Sequence, residues 1–213
     1  MASGDPVFRL PDLAAFDGER LASHGDYDAI GFAELDLSGQ DAADARFTEC
    51  HLEGCAVDGL SLRRARIIDS LLTEPHGASL DLADSAWRGS ELRGGRLGAV
   101  SLMGAEWTNV RVRASKLGFL NLAASRLARV TFERCEIGTL DVSDAELTNV
   151  TLVDCSIEEF AVSGARLTDV DLSGARLSTI VGIESLRGAT ISSTQMLDLA
   201  PLLAAHLGPE VRR

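Results

Sequence analysis

At 213 residues and 22.6 kDa, with 46% hydrophobic but only 5% aromatic residues, the chain suits one domain with a narrow aliphatic core. Its net charge of −12 and pI near 4.7 argue against nonspecific nucleic-acid binding or attachment to an anionic membrane surface. No apolar run approaches ~18 residues, the start MASGDPVFRL lacks the basic and apolar regions of a signal peptide, and four cysteines make no disulfide framework, so a cytoplasmic protein without a membrane span is expected.

Residues 1–34 read as an N-terminal cap segment. Pro6, Pro11 and the run DGERLASHGDYDA suggest turns, and the short apolar pieces at Val7-Phe8 and 30–35 can cover an open end. From Leu35 to Glu184 the chain keeps a frame of five without a slip, which makes 30 consecutive pentads. Their third residues are large and apolar except at Ala42, Gly77 and Gly182. The stretch 145–179 shows it plainly: AELTN VTLVD CSIEE FAVSG ARLTD VDLSG ARLST. A period of five fits neither an amphipathic helix nor an ordinary strand, and a fixed internal period marks a repeat architecture.

The units AELTN, ARLTD, VDLSG and ARLST resemble the A-(D/N)-L-x-x unit of the pentapeptide repeat family. The resemblance implies an all-β solenoid, a right-handed quadrilateral parallel β-helix in which four pentads make one 20-residue coil. Residues 35–184 then form about 7–8 coils. Centre and first residues point inward, and second, fourth and fifth residues face solvent.

Stacking at an interval of twenty places Trp87, Trp107, Leu127, Leu147 and Leu167 in one core ladder, with small first residues such as Ser85 and Ala105 beside the indoles. It turns Cys50 and Cys55 inward and His51 outward, which speaks against a metal site, and it stacks Cys135 under Cys155. The pentad PHGAS breaks the pattern. Proline donates no ladder hydrogen bond and a glycine centre fills no core, so a bulge or loop is expected at Pro75, His76 and Gly77, a candidate functional loop.

Residues 185–213 read as a helical cap or dimerisation segment. Ser193 suits an N-cap, Pro201 is expected to kink or divide the helix, and Met196, Leu197, Leu203 and Leu207 supply an apolar face to cover the last coil or join a second copy. The resemblance implies a homodimer here, because gyrase-binding members of the family join two solenoids through a C-terminal helical segment.

No nucleophile, base and oxyanion site come together, and no phosphate-binding glycine loop is present. A non-enzymatic protein without cofactor or metal is expected. Charge carries more information. Residues 1–60 hold 13 acids and 3 bases, residues 61–132 hold 6 acids and 11 bases, and residues 133–184 hold 11 acids and 3 bases. Two functions follow. By resemblance to quinolone-resistance members, the rod imitates duplex DNA toward DNA gyrase; alternatively it is a scaffold whose faces bind another protein partner. A continuous acidic stripe favours the first and segregated bands the second.

Overall fold

The computed structural model describes residues 9–207, apart from the side chains of Leu202, Ala205, His206 and Leu207. Val7-Phe8 lies outside the described residues. The chain winds into a parallel β-solenoid of about nine turns, followed by one helix. Nearly all ladder partners are twenty residues apart, as in Phe47↔Ile67, Trp87↔Trp107 and Leu127↔Leu147. The four faces can be named after their commonest residues. The Trp face takes the pentads beginning at 45, 65, 85 and so on; the Arg face follows at 50, 70 and 90, the Gly face at 55, 75 and 95, and the Asp face at 60, 80 and 100.

The corners explain the pentad's fifth residue. On the Trp, Arg and Asp faces every fifth residue from His24 to Asp169 has a left-handed backbone, with φ from +46° to +72°. Non-glycine residues adopt this region at a cost of roughly 1–2 kcal/mol, least where Asn or Asp bonds locally. That preference puts Asp44, Asp69, Asp84, Asn109, Asp144, Asn149 and Asp169 at corners.

The Gly face changes its corner partway up. Gly39 and Gly59 are left-handed, but Ser79, Ala99, Phe119, Thr139 and Glu159 are not. From residue 76 upward this face runs straight through its corner as strands His76–Asp81, Arg96–Ser101, Lys116–Asn121 and Glu136–Asp141. The loop expected at Pro75, His76 and Gly77 is therefore corrected: Pro75 leads directly into strand, and His76 and Gly77 pair with Arg96 and Leu97. The irregularity lies one coil below. Gly77 approaches the older corner so closely that a Cβ on it would stand 2.8 Å from the Asp58 nitrogen, and the Asp58 carboxylate accepts from the N–H groups of Ala78 (3.1 Å) and Ser79 (3.0 Å).

The coil register also reaches further toward the N-terminus than 35. Tyr27 pairs with Phe47 and Phe32 with Leu52, and His24, Ala29 and Glu34 keep the left-handed beat. Their pentads, GDYDA and IGFAE, lack the small-acidic-leucine signature, so the sequence hides them. Phe16, Tyr27, Phe32 and Phe47 form an aromatic cluster over this end, with Tyr27 stacked on Phe47 at 4.9 Å. Strand Ala14–Ala15 pairs with Ile30 and Gly31 to complete the cover.

The core is a single column. Trp87 and Trp107 are 2% and 3% exposed, with ring centroids 5.5 Å apart, and Leu127, Leu147 and Leu167 continue the ladder. The Trp87 indole N–H donates to Ser85 Oγ (3.2 Å), whereas the Trp107 N–H, in the pentad that begins at Ala105, has no partner among the described residues. An unmade buried hydrogen bond costs about 1–3 kcal/mol. Ala105→Ser is therefore expected to raise stability by about 1 kcal/mol in urea denaturation; an unchanged midpoint would show the two indoles are not equivalent.

At the other end the ladder slips near 152–174, where Val153 pairs with Gly174, and a last short rung, Ala189–Thr190, lies on Val170 and Asp171. The helix spans Ser193–Leu207, and its cap is Ser192 rather than Ser193. Ser192 Oγ accepts from the Gln195 N–H (3.1 Å) while Gln195 Oε1 accepts from the Ser192 N–H (2.7 Å), a reciprocal capping box. Gln195 Nε2 then donates to the carbonyls of Leu172 (2.8 Å) and Ala175 (2.7 Å) of the last coil.

Pro201 does not divide the helix. It deprives only the Leu197 carbonyl of a donor, and Leu197 is 75% exposed, within reach of water. The face turned to the solenoid carries Gln195, Leu199 and Leu203, while Met196 (50% exposed) and Leu197 point outward. The side chain of Leu207 lies outside the described residues.

Candidate interaction surface

No helix among the described residues is long and apolar enough to cross a membrane, and no group of three or more potential metal ligands is found among them. Cys50 and Cys55 are fully buried and burial pushes both thiols up, while His51 faces outward with Nε2 2.7 Å from Thr73 Oγ1. The sulfur of Cys155 and burial together push the Cys135 thiol up.

Outward positions are where chemistry can happen, and they are unevenly charged. On the Asp face much of the acid is turned onto its own backbone: Asp41, Asp81 and Asp141 accept from the N–H groups of Ala43, Ala83 and Ser143 at 2.9–3.0 Å. Asp44 pairs with Arg64, whose guanidinium holds that carboxyl below its usual range, and Asp81 and Asp84 pair with Arg63.

The opposite edge, where the Trp and Arg faces meet, is basic. Between residues 85 and 134 the outward positions of these two faces hold seven arginines (Arg88, Arg93, Arg111, Arg113, Arg126, Arg129, Arg134) and three glutamates (Glu91, Glu106, Glu133). Arg126 bonds Glu106 at 3.2 Å, with both side chains exposed.

The Arg face then holds a partly buried network. The Glu91 side chain is 1% exposed although it occupies a second, outward position. Its Oε1 accepts from Arg93 Nε (2.8 Å) and lies 2.6 Å from the Arg93 terminal nitrogen. Arg113, 9% exposed, sets a terminal nitrogen 3.9 Å from the same oxygen and its Nε 2.9 Å from Glu133 Oε2. Glu133 Oε1 is 2.9 Å from Arg134. Rung register puts Glu91 beside Arg111 and Arg93 beside Arg113. Like charges on adjacent rungs repel, and Glu91 lies where it offsets that repulsion. Its second oxygen, Oε2, is buried without a hydrogen-bond partner among the described residues.

Arg88, Arg111 and Arg129 have no ion-pair partner among the described residues; Arg129 Nε donates to Asn109 Oδ1 at 2.6 Å. Pentad spacing assigned all these residues to the surface, yet it gave no sign that Glu91 and Arg113 are buried by their neighbours.

A second concavity runs beside the Gly face, where Gly54 and Gly94 leave about 680 Å³ between Glu34 and Glu74 on one side and His76, Arg96 and Lys116 on the other. His76 lines it; Gly77 does not. A neighbouring groove of about 670 Å³ is floored by Gly98, Gly118 and Gly138.

Residues 145–180 match the family model described as pentapeptide repeats, in eight copies. Among solved structures the chain is similar to HetL, a pentapeptide repeat protein involved in heterocyst differentiation regulation from the cyanobacterium Nostoc sp. strain PCC 7120. The identity is 18% over 83% of this chain and 93% of that one, with a TM-score of 0.34. It is likewise similar to full-length QnrB1, a plasmid-mediated fluoroquinolone resistance protein, at 19% identity over 92% of this chain and 95% of that one, TM-score 0.34. No curated protein sequence matches the chain. Eight pentapeptide repeats are thus matched over 145–180, and the same twenty-residue spacing continues below them down to Asp26 in one parallel β-solenoid.

Proposed function

We propose that this solenoid is a protein-binding scaffold that acts through its outward positions and performs no chemistry of its own. One observation carries the proposal: charge is segregated. The middle, residues 61–132, holds 11 bases against 6 acids, while 1–60 and 133–184 hold 13 and 11 acids against 3 bases each. Surfaces of opposite sign, set side by side on a rigid rod, give orientation and partner discrimination more than raw affinity. Immobilised protein should retain a partner from a lysate of its source cell at low salt and release it as salt screens the contact. Retention no better than on an unrelated acidic protein would remove the proposal.

The narrower reading, imitation of duplex DNA toward DNA gyrase, draws on the net charge of −12 and on the acidic end coils. Against it stand the arginine-rich middle and the aspartates folded onto their own turns. Titrated protein in a gyrase supercoiling assay tests it, and unchanged supercoiling at micromolar protein would end it. A homodimer through the exposed Met196 and Leu197 belongs to the same proposal; sedimentation of the Leu197→Glu variant beside the native chain tests that part.

A further inference from the structure

We infer that the edge carrying Arg88, Arg111 and Arg129 is the docking site for a short acidic segment of a protein partner, a reading that rests on the scaffold function above. In a chain with 32 acidic and 20 basic residues, some bases on the ladder find a carboxylate one rung away, as Arg126 finds Glu106 and Lys116 finds Glu136. These three do not. The reason is visible for Arg111. Its in-register neighbour is Glu91, whose carboxylate is buried and bonded to Arg93, with Arg113 also beside it. Glu133 is likewise held between Arg113 and Arg134. The network therefore sequesters the local carboxylates and leaves the edge guanidiniums open to an anion from outside.

The fold also limits the length of that anion. Along this edge the fifth residues run Glu49, Asp69, Gly89, Asn109, Arg129, Asn149, Asp169, so acid bounds the basic edge on both sides. Rungs are about 4.8 Å apart, and from the Arg88 rung to the Arg129 rung is two steps, roughly 10 Å. An extended peptide covers that with about three residues at 3.3 Å each, and side-chain reach extends it to five or six. A long polyanion such as a nucleic acid would run into Asp69 and Asp169. Carboxylates pair with guanidinium in a bidentate fork that a rigid parallel ladder can present repeatedly.

Fluorescein-labelled hexaglutamate, titrated into the full chain and followed by anisotropy, tests the site. Saturable binding is expected at low salt. It should weaken by about tenfold or more in the triple variant Arg88→Glu/Arg111→Glu/Arg129→Glu, with hexaglutamine not bound. None of the three makes an ion pair among the described residues, so the variant should keep the native circular dichroism, with a lower urea midpoint from the lost Arg129–Asn109 bond and from a carboxylate set beside Glu91. The control Arg96→Glu/Arg176→Glu, on the Gly face, should leave binding within about twofold. Absence of hexaglutamate binding would overturn the inference, as would an equal loss in the control, or a seven-nucleotide oligothymidylate bound as tightly as the peptide. A lysate partner retained by the triple variant as well as by the native chain would remove this site while leaving the scaffold function standing.

Discussion

Trp87→Ala is expected to lower the free energy of unfolding by about 3–5 kcal/mol, the upper range for truncating a buried aromatic side chain. Three features put it there. The ring is 2% exposed, it lies against Trp107 at 5.5 Å with the planes tilted by 41° and with Ile67 below, and its N–H is bonded to Ser85. The walls cannot close in, because ladder hydrogen bonds hold the rungs above and below at fixed spacing. A void of about 20 Å³ lined by Trp87, Trp107, Leu92 and Leu97 already exists beside the rings, and the truncation would enlarge it. Urea unfolding followed by circular dichroism measures the loss. A value below about 1 kcal/mol would mean that the rungs relax, and that the solenoid is softer than its register suggests.

Gly118→Ala is the second large effect, about 1–3 kcal/mol from a single added methyl. Its Cβ would sit 2.5 Å from the Gly98 carbonyl oxygen. That oxygen cannot withdraw, since Leu97↔Leu117 and Ala99↔Phe119 are paired on either side. Gly104→Ala is the contrast. There the new methyl meets only the Asp84 carboxylate, the mobile end of a side chain, so its cost is that of a left-handed alanine at φ +72°. If both substitutions cost the same in parallel urea titrations, the close carbonyl contact is not what requires glycine on the straight corner.

The inward half of this fold was legible because it depends on one arithmetic fact, the spacing of large residues at 147, 152 and 157 and their equivalents. Once that interval is known, Trp87 must stack on Trp107 and Cys50 must point inward. Corner conformation was not legible, because the same fifth position takes the left-handed turn at Glu49 and Arg64 and runs straight at Ala99 and Phe119, with no residue type that separates them. Pro75 and Gly77 therefore suggested a loop, when they mark the level at which one corner type gives way to another.

The candidate surface was half visible. The arginines between 88 and 129 stand out by count, but the burial of Glu91 arises from side chains on the next rung folding over it, which no pattern within a pentad records. Of the apolar face expected on the C-terminal helix, Leu203 turns to the coil, while Met196 and Leu197 turn away. Gln195 anchors the helix through two carbonyls, a polar contact that an apolar-face criterion passes over.

A backbone that repeats every twenty residues can change length in one increment only. Removing residues 121–140 would join Leu120 to Asp141, put Val142 where Leu122 had been, and leave a shorter rod with each surviving side chain on its original face. Removing five would swing everything beyond the cut by a quarter turn, carrying the upper acidic faces out of line with the basic edge below. Lengthening or shortening by whole turns is thus the cheap path by which such a chain can be re-measured against a partner, and the straight corner with its three glycines fixes how many turns share one groove.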